Sequence, residues 1–138
     1  MADIAKDSAA STPRTIYLKD YQVPDYLVDT VDLRFELEPA ATRVSSRLTV
    51  RFHPDVQHKD NRQLLLHGQA LTLIEIRIDG NLLSDADYTL DDDALILENI
   101  DDGALLEIET QIAPNQNTTL EGLYVSSGMF CTQCEAEG

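Results

Sequence analysis

The sequence predicts an all-β chain, an antiparallel sandwich or saddle-like assembly of sheets. Three observations carry this. Apolar residues recur with period two, the signature of strands with one wet face. Turn chemistry rich in Asp, Gly, Pro and Asn separates the apolar runs at short spacing. No convincing long helix interrupts them.

The elements follow in order. Val31, Leu33, Phe35 and Leu37 alternate with Asp32, Arg34, Glu36 and Glu38. Pro39-Ala40-Ala41-Thr42 breaks that run. Val44, Leu48, Val50 and Phe52 then alternate with Arg43, Arg47, Thr49 and Arg51. The two runs read as a hairpin with arginines on the outer face of one strand opposite acids on the other, each such pair contributing only ~0.2–1 kcal/mol. His53-Pro54-Asp55 ends the second strand, and a polar loop runs to Arg62. Residues 64–66 form a short apolar run and residues 71–79 another strand. Asp79-Gly80-Asn81 is a strong turn signal. Residues 88–90 lead into the charged turn Asp91-Asp92-Asp93, after which residues 94–97 resume. Asp101-Asp102-Gly103 turns again, and Leu106, Ile108, Thr110 and Ile112 alternate with Glu107, Glu109 and Gln111. The count is about seven strands. From Leu120 onward alternation is lost, and the Gly-containing, polar tail reads as a loop, where binding residues concentrate.

Composition narrows the function. A chain of 138 residues fits one domain with a sizeable core. The expected organisation is a flexible Ala/Ser/Thr-containing leader over residues 1–15 and one β domain over residues 16–138. Twenty-five acids against ten bases give a net charge of −15. Such a field repels phosphate, which argues against nucleic-acid partners and anionic membrane surfaces. It serves either solubility or the attraction of cationic ligands such as peptide amino termini. No apolar run approaches the ~18 residues of a membrane span, and the amino terminus has no apolar signal segment. Two cysteines without an export signal fit free thiols in a reducing cytoplasm. Asn117-Thr118-Thr119 formally matches a glycosylation sequon, which an unexported chain would leave unmodified.

The candidate sites are few. Asp91-Asp92-Asp93 lacks the alternating acids, Gly and terminal Glu of a calcium loop and reads as a solvated turn. His53, His58 and His67 have no metal-binding spacing. Cys131 and Cys134 form a lone CxxC, without the second pair a structural zinc needs or the α/β context of a redox motif, and read as packed thiols. Gln133 and Glu135 are different. On extended backbone they point to one side, as would Glu137 if the extension continued. An amide and one or two carboxylates there would suit an ammonium group. An exposed acidic terminus with no role is the other reading.

The stretch NTTLEGLYVSSGMFCTQCEAEG closely resembles the amino-terminal domain of the bacterial aminopeptidase N family, zinc metallopeptidases of the gluzincin type. KDYQVPDYLVDTVDLRFELEP is similar to that family's first strands. The resemblance runs from about residue 15 to residue 138, and CTQCEAEG is its most specific part. It implies a β-saddle domain packed against a thermolysin-like catalytic domain of the same polypeptide. It implies that Glu135 binds the free α-ammonium of a peptide substrate and that Gln133 lines the pocket for the first side chain. The family's HExxH helix, downstream Glu ligand and GAMEN loop are not in this sequence. The resemblance therefore implies zinc in a parent enzyme, none bound by this chain, no catalytic residue here, and a β domain continuing beyond residue 138. The chain alone is expected to be inactive. A stand-alone acidic β-sandwich binding module, and a metal or redox protein using Cys131 and Cys134, are the competing readings.

Overall fold

A computed structural model describes residues 15–56 and 58–135. The leader expected over residues 1–15 lies outside the described residues except for Thr15, and Glu137 lies outside them as well. The two long alternating runs form β1 (Tyr26–Glu36) and β2 (Thr42–Phe52). They pair antiparallel from Tyr26 opposite Phe52 to Glu36 opposite Arg43. The Thr42 hydroxyl closes their turn, donating to the Glu38 carbonyl at 2.7 Å and accepting from the Glu38 N–H at 3.1 Å.

The later runs form β3 (Gln63–His67), β4 (Thr72–Ile78), β5 (Asn81–Leu82), β6 (Thr89–Leu90), β7 (Ala94–Glu98) and β8 (Leu105–Ile112). The β4–β5 turn is the expected one. Asp79 and Gly80 both have positive φ, 49° and 83°, as a two-residue hairpin loop requires. Two further strands, β9 (Gly122–Ser126) and β10 (Met129–Gln133), bring the described total to ten rather than about seven. The tail expected to be a loop is therefore a hairpin. Its turn residues Ser127 and Gly128 take φ of 51° and 80°, so the Ser-Gly pair closes a two-residue turn as Asp-Gly does between β4 and β5.

Among the described residues three antiparallel sheets result, ordered β1-β2-β8-β4-β5, β3-β7-β6 and β10-β9. In the five-stranded sheet the pairing register slips by one residue at Asp29 and again at Ile74. Each slip is a bulge, and each restores phase. Tyr26 and Val28 precede the first bulge at even positions; Val31, Leu33 and Phe35 follow at odd ones, and all share a face. Leu73 before the second bulge likewise shares a face with Ile76 and Ile78. The opposite face is ionic. Asp32 lies opposite Arg47, Arg47 opposite Glu107, and Glu107 opposite Arg77, a row of alternating sign across four strands. Exposed pairs of this kind contribute little individually, but they fix which face meets water.

The core lies between the five- and three-stranded sheets. Val50, Ile76, Leu106 and Ile108 pack from one side, Leu64, Leu95 and Leu97 from the other, with Ile100 and Ala104 closing one end. Tyr26 packs edge-on against Phe52 at 5.8 Å, and its hydroxyl donates to the Ile100 carbonyl at 2.8 Å. Below it the buried Asp25 ties three segments together. Its carboxylate accepts from Lys59 Nζ at 2.7 and 3.0 Å and from the Gln63 N–H at 2.8 Å, while its carbonyl accepts from the His53 N–H at 2.9 Å. Burial pushes its pKa up, but the Lys59 ammonium and the Gln63 N–H outweigh that and hold it below its ordinary value.

The two facing sheets are unequal. β1 and β2 are eleven residues long, β3 and β7 five. The small sheet covers only part of the large one. The inner residues of β1 beyond its reach, Val31, Leu33 and Phe35, are 56, 55 and 43% exposed. Alternation correctly placed them on the apolar face; among the described residues that part of the face has no cover. It opens into an apolar groove of about 510 Å³ whose lining includes Leu33, Phe35, Leu66, Leu73 and Leu123.

Candidate functional site

The β9–β10 hairpin carries the residues of interest. Its register places Thr132 opposite Leu123 and Gln133 opposite Gly122. Period-two geometry then divides the segment. Thr132 and Cys134 line the apolar groove together with Leu123. Gln133 and Glu135 are exposed and do not line it. Their side chains meet, Gln133 Nε2 donating to Glu135 Oε1 at 3.3 Å. A donor amide and a carboxylate thus stand side by side, and the carboxylate keeps acceptor capacity for a second, cationic partner.

Cys131 and Cys134 are both free thiols. Cys134 lines the groove, whereas Cys131 has Tyr124 as its cross-strand partner and only a weak 3.8 Å contact from its Sγ to the Met129 carbonyl. Residues three apart on extended backbone point to opposite sides, which is the wrong arrangement for chelation by one ion. Among the described residues no three His, Cys, Asp or Glu side chains gather where a metal ion could be held. These residues do not fit a zinc site, so no chemistry through a metal is derived from them. His53 Nδ1 accepts the Asp55 N–H at 3.1 Å, a local loop contact. Asp91 and Asp93 belong to the β6–β7 turn, where the Asp91 N–H bonds to the Ala94 carbonyl at 2.8 Å and the Asp93 carbonyl accepts the Gly68 N–H at 2.9 Å. No helix among the described residues is long and apolar enough to cross a membrane.

No protein-family model matches the chain. Whole-sequence comparison does find relatives. The chain is 41% identical over 127 residues to aminopeptidase N of Caulobacter vibrioides, covering 92% of this chain and 14% of that protein. It is 35% identical over 130 residues to aminopeptidase N of Escherichia coli, covering 91% of this chain and 14% of that protein. Among solved structures it is similar to Legionella pneumophila aminopeptidase A in complex with aspartic acid, with a TM-score of 0.76 and 34% identity over 88% of this chain and 14% of that one. Native yeast LTA4 hydrolase shares the fold, with a TM-score of 0.55 and 19% identity over 72% of this chain and 16% of that one. Sheet architecture and sequence together define the class, an all-β segment like the amino-terminal part of aminopeptidases. More particularly, the chain matches the amino-terminal part of aminopeptidase N and spans about 14% of the length of the relatives it matches.

Proposed function

We propose that this chain is the substrate-anchoring, amino-terminal β-saddle domain of a cytoplasmic zinc aminopeptidase that removes amino-terminal residues from peptides. The carrying observation is the exposed contact between the Gln133 amide, at the end of the β9–β10 hairpin, and the Glu135 carboxylate just beyond it. An exopeptidase must recognise a terminal charge. A carboxylate facing the α-ammonium does so through charge-assisted hydrogen bonds. Gln133 holds that carboxylate from one side and lines the pocket for the first side chain. Once the catalytic domain encloses the pair, a peptide lacking the ammonium leaves Glu135 desolvated and unpaired, which penalises the wrong substrate.

The zinc, its water and the general base belong to a thermolysin-like catalytic domain of the same polypeptide, and the β domain extends over residues 16–138 and beyond. The uncovered apolar face of β1 favours this over a stand-alone binding module, because contiguous exposed apolar surface marks a face built to be covered. The test is Glu135→Ala in the whole enzyme. Loss of a hydrogen bond to a charged group, about 1.5–3 kcal/mol, should raise KM and lower kcat/KM by roughly ten- to a hundredfold. Unchanged kinetics would remove Glu135 from substrate binding.

A further inference from the structure

The β9–β10 hairpin forms a two-stranded sheet separate from the other two sheets of the described residues. Its orientation must come from somewhere else. One source is apolar, through Leu123, Thr132 and Cys134 at the groove. The other is polar and lies in the connection from β8, where the 3-10 turn Pro114–Gln116 ends at Asn117.

Asn117 uses the whole of its amide. Nδ2 donates to the Glu121 carbonyl at 2.7 Å and to the Leu123 carbonyl at 2.9 Å. Oδ1 accepts the Thr119 N–H at 3.1 Å and the Thr119 hydroxyl at 2.8 Å. Two donors and two acceptors exhaust what the group can offer. The loop it holds is one that backbone preference alone would not keep. Leu120 sits at φ 59°, a left-handed conformation that costs a branched, bulky residue, and Gly122 sits at φ 70°. The two carbonyls that Asn117 grips flank Gly122, and Gly122 is the cross-strand partner of Gln133. Asn117 is thereby one strand away from the amide that contacts Glu135.

From this we infer that Asn117 is a positioning residue for the ammonium-binding pair: its amide fixes β9 around Gly122, and through that register it sets the place of Gln133 and Glu135. The inference rests on the proposed role of Glu135 and adds to it a residue that touches no substrate. It also gives Asn117-Thr118-Thr119 a structural use. The pattern matches a sequon, but the asparagine has no spare hydrogen for anything beyond the clamp.

The experiment uses the whole aminopeptidase and an amino-acyl arylamide with a free α-amine. Asn117→Ala should raise KM about five- to tenfold while kcat per active site, titrated with a tight-binding inhibitor, changes less than about twofold. Asn117→Asp should be worse, because it sets a carboxylate oxygen against two carbonyls. Thr119→Ala, which leaves both Nδ2 bonds intact, should stay within about twofold of the parent. In a Gln133→Ala/Glu135→Ala background, Asn117→Ala should add less than about twofold, since the groups it positions are gone. A variant that loses only active enzyme, with KM unchanged, would mean that Asn117 merely supports the fold. Full additivity with the Gln133→Ala/Glu135→Ala pair would mean that it acts on something else. Either result overturns the inference while leaving Glu135 in place. If Glu135→Ala itself has no effect on KM, the site reading fails first and this inference fails with it.

Discussion

Asp25→Asn separates a carboxylate's charge from its shape. Asn is nearly isosteric with a protonated aspartic acid, so the variant mimics the acid form at any pH. At neutral pH the native carboxylate accepts three hydrogen bonds, two from Lys59 and one from the Gln63 N–H. Its side chain is 9% exposed, but that of Lys59 is 50% exposed, so the ion pair is partly screened and counts for about 1 kcal/mol. The Gln63 N–H exchanges a charged acceptor for a neutral one, or meets an amide N–H head-on, at about 1.5–2 kcal/mol. The expected loss is about 2–3 kcal/mol at pH 7, read by urea unfolding of the chain followed by circular dichroism. The pH dependence carries the sharper test. Asp25 titrates below 3.8 when folded, so its contribution is complete above that value and is lost as pH falls through the folded pKa. The gap between native and variant should therefore narrow below pH ~4. A gap that is absent at pH 7, or that persists unchanged on acidification, would refute the role of the Asp25 carboxylate in tying these segments together.

Two further outcomes test the platform and the hairpin. Phe35→Lys places a charge on the uncovered apolar face; the isolated chain should keep its circular dichroism but self-associate less in sedimentation, whereas the whole enzyme should lose thermal stability under the proposed packing, which buries the same face. Identical behaviour of the two forms would mean that the face stays bare in the enzyme. Gly128→Val puts a β-branched residue at φ 80°, costing the β9–β10 hairpin roughly 1–2 kcal/mol; amide exchange should quicken across β9 and β10 and leave β2 and β8 unchanged.

Much of this was legible in the residues. The β1–β2 hairpin followed from alternation alone, and the pairing of Asp32 with Arg47 and of Glu36 with Arg43 agrees with the expected opposition of acids and arginines. The extension of that ionic row to Glu107 and Arg77 was not legible, because β8 enters between β2 and β4 by a long-range pairing that no local pattern encodes. Bulges at Asp29 and Ile74 were invisible for the opposite reason. One inserted residue shifts phase without changing composition. The tail was misjudged. Leu123, Tyr124 and Val125 are consecutive rather than alternating, yet Ser127-Gly128 was a readable hairpin turn. At the candidate site, period two correctly put Gln133 and Glu135 on one side. The Asn117 clamp depends on Leu120 adopting a positive φ, which nothing about a leucine foretells.

The strand order has a consequence for how the chain comes to be made. β2 emerges from the ribosome early, yet its partner on the inner side is β8; Ser46 on one strand bonds to Ile108 on the other, 62 residues apart. Until β8 is synthesised, the β1–β2 ribbon waits with a whole row of backbone groups and an apolar face unpaired, a window for misassembly. The β9–β10 ribbon closes across two residues and can zip within microseconds of its own appearance. The early β1–β2 ribbon must therefore wait, held back by distance along the chain, whereas the later-made β9–β10 ribbon needs only its own two strands.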